Sequence, residues 1–166
     1  MRVIAGDGHG EDRFDSDGGL LRLVHTVETA ASEAEVFSAI ASGVSALFDA
    51  ACAVVVLAPV DGSLDVAAAS TAFDEFAGAV RARRLPLSSD GLAADAVLTG
   101  AYAVDRTPFA DEPRALLELF PGRENVRAAA AVSLTAREGT IGVLVLFSDR
   151  ETAFGSRRME ALRTFG

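Results

Sequence analysis

Residues 140–148, TIGVLVLFS, constrain this chain more than any other segment. Their apolar side chains fall on both faces of an extended strand, whereas a strand with one wetted face alternates apolar with polar. Such a segment belongs in the middle of a sheet with a layer on either side. Residues 126–135, VRAAAAVSLT, read as its hairpin partner across the turn AREG. Ala128 to Ala131 bring only methyl groups to that partner, so either a helix packs close against it or a cavity is left. Close packing is the favoured outcome, because empty apolar space costs stability.

The rest of the chain supplies the covering layers. Leu20, Leu21, Val24 and Val27 recur at helical spacing, which predicts a first helix ending near residue 31. Ser32 and Glu35 form an S-x-x-E capping box that opens a second helix to about residue 49, with Val36, Phe37, Ile40, Val44 and Phe48 inward. Residues 52–58 and 64–70 read as a hairpin turning at Asp61-Gly62. A helix over 71–84 comes next, then a short strand LPL that Pro86 confines to an edge. Beyond it are a helix over 89–99 closed by Gly100, a strand YAVDR, and a helix over 112–120. Ser156 caps a last helix carrying Met159, Leu162 and Phe165, whose pattern is still running at Gly166. That predicts a natural continuation into an output domain.

A chain of 166 residues suits one domain, able to bury roughly 70% of its unfolded surface. Its longest apolar run, Ile141 to Phe147, is far short of the about 20 residues a membrane-spanning helix needs. The N-terminus lacks the basic and long apolar regions of a signal peptide, so a soluble cytoplasmic protein without membrane contact is expected. Fifteen basic against 24 acidic residues give a net charge of −9, which repels phosphate backbones and argues against nucleic-acid binding. Every basic residue is Arg, a composition suggesting a GC-rich bacterial genome. The single cysteine, Cys52, excludes an internal disulfide and a cysteine-cluster zinc site.

Residues 5–19, AGDGHGEDRFDSDGG, invite comparison with a phosphate-binding turn. Their spacing is G-x-G-x-G rather than G-x-G-x-x-G, and the acids after it would repel phosphate. Asp7, His9, Glu11 and Asp12 are metal-ligand types, yet a solvated tail is the simpler reading of this composition. Residues 1–19 are therefore expected to be a flexible acidic, glycine-rich tail.

The order helix, helix, hairpin, helix, short strand, helix, short strand, helix, hairpin, helix resembles a GAF domain, the small-molecule sensor module of signalling proteins. The stretches VFSAIASGVSALFDAACAVVVLAPVDGSLDVAAAS, RRLPLSSDGLAADAVLTGAYAVDR and VRAAAAVSLTAREGTIGVLVLFSDRETAFGSRRMEALRTF carry the resemblance, which spans residues 20–166. It implies an α+β fold with a central antiparallel sheet of about six strands. Terminal helices would cover one face; short helices and loops would cover the other. A ligand would lie between the sheet and the middle segment, where Ser88, Ser89, Asp105, Arg106 and Asp111 are the polar candidates. Arg106 can clamp a carboxylate or phosphate, and Asp105 can accept from a ring nitrogen or hydroxyl. Asp105 and Arg106 can equally cap loops or pair at the surface. Arg81, Arg83 and Arg84 suit a helix end, where the dipole favours cations.

Specialised members of that family differ from this chain at the residues that matter. The N-K-x-x-F…D-E cyclic-nucleotide signature is missing, there being no Lys. Bilin attachment needs a cysteine in the middle segment, and haem an axial histidine in the pocket; Cys52, His25 and His9 lie elsewhere. The methionine-sulfoxide reductase members need a second cysteine. Which cofactor, if any, the domain takes is left open by these differences. No spacing suggests a Ser-His-acid triad, so the expectation is a non-enzymatic sensor acting as a homodimer. Its interface would be formed by Leu20, Leu21, Val24, Val27, Met159, Leu162 and Phe165. A ligand-free dimerisation or partner-docking module is the alternative.

Overall fold

The computed structural model describes residues 16–57, 64–70, 73, 77–78, 91–105, 123–137 and 139–163. Capping chemistry sets the first two helices, α1 (Ser16–Glu28) and α2 (Glu33–Phe48). The Glu35 N–H donates to Ser32 Oγ at 3.3 Å, and Glu35 Oε2 accepts from the Ala31 N–H at 2.7 Å. The box read from the sequence is thus formed, its carboxylate reaching one residue further back than the usual pattern. At the far end Asp49 takes the left-handed conformation, φ 49°, and its N–H donates to Ser45 O.

Gly18 and Gly19, expected in the tail, instead belong to α1. The reason is packing: a Cβ at Gly19 would collide with Leu47 Cδ2 of α2. Close approach of the two helices outweighs glycine's poor helix propensity here. The rest of the expected tail, residues 1–15, lies outside the described residues.

The sheet has five strands among the described residues: β1 (Ala51–Leu57), β2 (Leu64–Ala69), β3 (Tyr102–Asp105), β4 (Ala128–Ala136) and β5 (Gly139–Ser148). Their order is β2-β1-β5-β4-β3 and every pairing is antiparallel. The doubly apolar β5 occupies the middle, with Val143 and Leu146 fully buried on opposite faces. Ala136 pairs with Gly139, a tighter turn than AREG suggests, and Gly139 supplies the positive φ of 127° it needs. The expected sixth strand, LPL, and the helix over 112–120 lie outside the described residues. Of the helix expected over 71–84, only residues 73, 77 and 78 are described.

Two further helices among the described residues, α3 (Leu92–Thr99) and α4 (Ser156–Arg163), cover the sheet. On one face α1, α2 and α4 contribute Leu23, Phe37, Ile40, Val44, Met159 and Leu162 to a core with Ala130, Val132, Leu144 and Leu146 of the sheet. On the other, Ala96 of α3 and Phe73 meet Val66, Ala131 and Val143. The alanines of β4 thus admit a helix from each side: α4 and α3 both pack against that strand, and Ala128 to Ala131 are at most 2% exposed. This is the close-packing outcome.

Two residues expected at a dimer interface are placed differently. Met159 and Leu162 are 0% and 2% exposed, buried against the sheet of their own chain. The apolar stripe of α4 is needed to cover β4, so it is not available to a second subunit. On α1, Leu21 is 69% exposed, while Val24 and Val27 are half-buried. The side chain of Leu20, and Phe165, lie outside the described residues.

Candidate functional site

The site is built on the sheet face that α3 covers. Strand alternation directs Ala129, Ala131 and Ser133 of β4 to this side, opposite Phe147, Val145 and Val143 of β5. On the edge strand β3, Ala103 pairs with Ala131 and Asp105 with Ala129, so Asp105 shares the face. Two aromatic rings complete it: Phe73 and Phe147 lie 5.3 Å apart, their planes inclined at 31°.

The cover is held differently from the helices on the other face. Gly91, at φ 107°, precedes α3 without a side-chain cap, and Gly100, at φ 60°, closes it by donating its N–H to Ala96 O and Val97 O. The fully and nearly buried side chains of this helix are the methyls of Ala96 and Ala94; Leu98 is 77% exposed. The fully buried part of the contact with β4 is therefore small side chain on small side chain, with the half-buried Leu92 and Val97 packed around it. Just beyond the helix, Ala101 O accepts from the Ser133 N–H at 2.9 Å, which ties the end of α3 to the strand beneath it.

Of the residues proposed from the sequence, Asp105 ends β3, half-buried on this face. Ser88, Ser89, Arg106 and Asp111 lie outside the described residues. Ser133 was not among the candidates, and among the described residues it is the buried polar residue of β4 on this face. It is 5% exposed, and among the described residues its Oγ is the one buried side-chain polar atom without a hydrogen-bond partner. By contrast, Ser148 Oγ, equally buried, accepts from the Arg150 N–H at 3.2 Å. The sequence marks it only faintly, as one of two hydroxyls in VSLT, in phase with Ala129 and Ala131. Asp105 and Ser133 are separated by four steps of the β3–β4 register, about 13 Å at some 3.3 Å per residue. Among the described residues the face offers an apolar floor with the Ser133 hydroxyl toward one end and the Asp105 carboxylate at the other. Among the described residues no cluster of His, Cys, Asp and Glu could hold a metal ion.

Comparison with known proteins places this architecture. The GAF domain structure of a phosphoenolpyruvate-protein phosphotransferase from Coxiella burnetii superposes with a TM-score of 0.72 at 16% identity, covering 89% of this chain and 86% of that one. Free methionine-R-sulfoxide reductase from Neisseria meningitidis, solved with its substrate, gives 0.66 at 15% identity, covering 99% and 89%. The chromophore-binding domain of a Stigmatella aurantiaca bacteriophytochrome gives 0.63 at 14% identity, covering 95% of this chain and 60% of that one. At such identities the likeness is one of fold. No curated protein sequence matches this one. The sequence model of the GAF domain matches residues 30–166, a span that begins just after α1 and runs to the last residue. The chain belongs to the GAF domain family, which supplies sensory and regulatory modules to signalling proteins.

Proposed function

We propose that this domain is a non-catalytic small-molecule sensor of a bacterial signalling protein, binding its ligand between α3 and the sheet and working in the cytoplasm as a homodimer. The observation that carries the reading is the α3 face itself: an apolar floor, a cover bracketed by two glycines, and a buried hydroxyl that the described residues leave without a partner. Asp105 on the same face, with Arg106 next in sequence, supplies the charged end at which a ligand's polar group would be held. Catalysis is set aside because a reductase of this fold class would need a second cysteine, and the chain has one. Dimerisation is assigned to the outer side of α1 around Leu21, since Met159 and Leu162 are spent on the core.

The complete burial of Ala96, Ala131 and Val143 favours a second reading, a ligand-free docking module in which side chains fill the space. Native mass spectrometry of the untagged protein as purified separates the two. The sensor reading expects a dimer with a reproducible added mass of a small molecule, released on denaturation. A clean dimer without added mass supports the docking module. A monomer removes the dimer from both.

A further inference from the structure

We propose that the Ser133 hydroxyl selects the ligand of the α3 face, and that the ligand group it meets belongs to a small uncharged aromatic alcohol, of the phenol class. This rests on the sensor reading above.

A buried hydroxyl without a partner is costly, and the strand position needs none: alanine, already present at 129 and 131, packs the same floor without that penalty. The surroundings then define the missing partner. Ser133 is opposite Val143, two residues from Ala131, and bonded through its N–H to Ala101 just past α3, a helix that packs Ala96, Leu92 and Val97 on this face. Along β3 and β4 the charged residues are distant: Asp105 is about 13 Å along the register, and Arg137 lies four residues on, at the exposed hairpin turn. An ionised group brought here would lose its hydration without compensation. The C-terminal end of α3, which opens directly into Ala101 beside Ser133, carries the negative end of the helix dipole. It disfavours an anion and welcomes a donor. A hydroxyl both donates and accepts, which matches the two capacities of Ser133.

The remainder of the ligand must be apolar and flat to pass between a helix and a sheet. The Phe73–Phe147 pair lies on the same face toward its Asp105 end, Phe147 being opposite Ala129 four register steps from Ser133, so the face as a whole takes rings although none of the described ones stands at Ser133. Room comes from α3 lifting. It is bracketed by Gly91 and Gly100, both at positive φ. Its fully buried contacts are methyls, which bury little area for each residue separated, with only the half-buried Leu92 and Val97 adding larger ones.

The test uses the full chain with 13C-labelled alanine methyls, titrated with phenol, toluene and benzoate. Phenol is expected to shift the Ala96 and Ala131 resonances saturably, with at least fivefold higher affinity than toluene; benzoate is expected to leave them in place. Ser133→Ala should remain folded and lose the preference for phenol over toluene, and Ser133→Thr should keep it. If Ser133→Ala retains the preference, or benzoate binds more tightly than phenol, the inference is wrong. If no probe binds while native mass spectrometry still finds a retained small molecule, the ligand class is wrong and the sensor reading survives. If neither experiment finds a bound molecule, both fall.

Discussion

Gly43 of α2 lies directly against Leu23 of α1: a Cβ built on Gly43 would stand 2.5 Å from Leu23 Cδ1 and 3.4 Å from its Cγ. Leu23 is 4% exposed and belongs to the core beneath the terminal helices, so it has little freedom to turn aside. Two effects oppose each other in Gly43→Ala. Helix propensity favours alanine by about 1 kcal/mol, whereas forcing a methyl into a packed contact costs about 1–3 kcal/mol. The contact wins, and chemical denaturation should show a net loss of stability. Adding Leu23→Ala should relieve the clash, so the double mutant should lose less than the sum of the single losses.

Asp49 offers the opposite sign. It holds the left-handed position that ends α2, the one described non-glycine residue at positive φ. Its carboxylate stands 3.3 Å from Arg150, but the side chains of Arg150 and Asp49 are 47% and 89% exposed, and such pairs contribute little. Arg150 also donates to Phe48 O at 3.3 Å, a contact that does not need the carboxylate. Asp49→Gly should therefore stabilise the fold by about 0.5–1 kcal/mol, seen as a raised denaturation midpoint. Unchanged or lower stability would show that the ion pair outweighs the backbone strain.

The β4 alanines give a third expectation. Ala130 is fully buried within the cluster that contains Met159 and Leu162. Ala130→Leu should destabilise by about 1–3 kcal/mol through overpacking, read from thermal or chemical unfolding. A neutral result would reveal a void beneath α4.

Much of this architecture was legible because it depends on local chemistry. The Ser32–Glu35 box, the glycine closing α3 and the doubly apolar β5 each arise from neighbours in sequence. What was not legible depends on contacts far apart in the chain. Gly18-Gly19 reads as a helix breaker until Leu47 is seen to need the space. Met159 and Leu162 form an apolar stripe whose periodicity says that one side is buried, but not whether against the chain's own sheet or a second subunit. The candidate site divides in the same way. Asp105 was found because a charged residue ends a short strand, whereas Ser133, small and neutral, becomes conspicuous only once its hydroxyl is seen to be buried without a partner.

That distinction decides how the dimer should be probed. Leu21→Glu and Leu162→Glu look equivalent in the sequence but act at different levels in the structure. Leu162 is 2% exposed in the core, and a carboxylate there must be desolvated, so Leu162→Glu should unfold the domain. Leu21 is 69% exposed, and a charge at that position should change monomer stability by less than about 0.5 kcal/mol. Analytical ultracentrifugation of Leu21→Glu, with its circular dichroism matching the parent, is therefore the informative experiment. If α1 forms the subunit contact, the variant should sediment as a folded monomer. If it remains a dimer, the interface lies elsewhere.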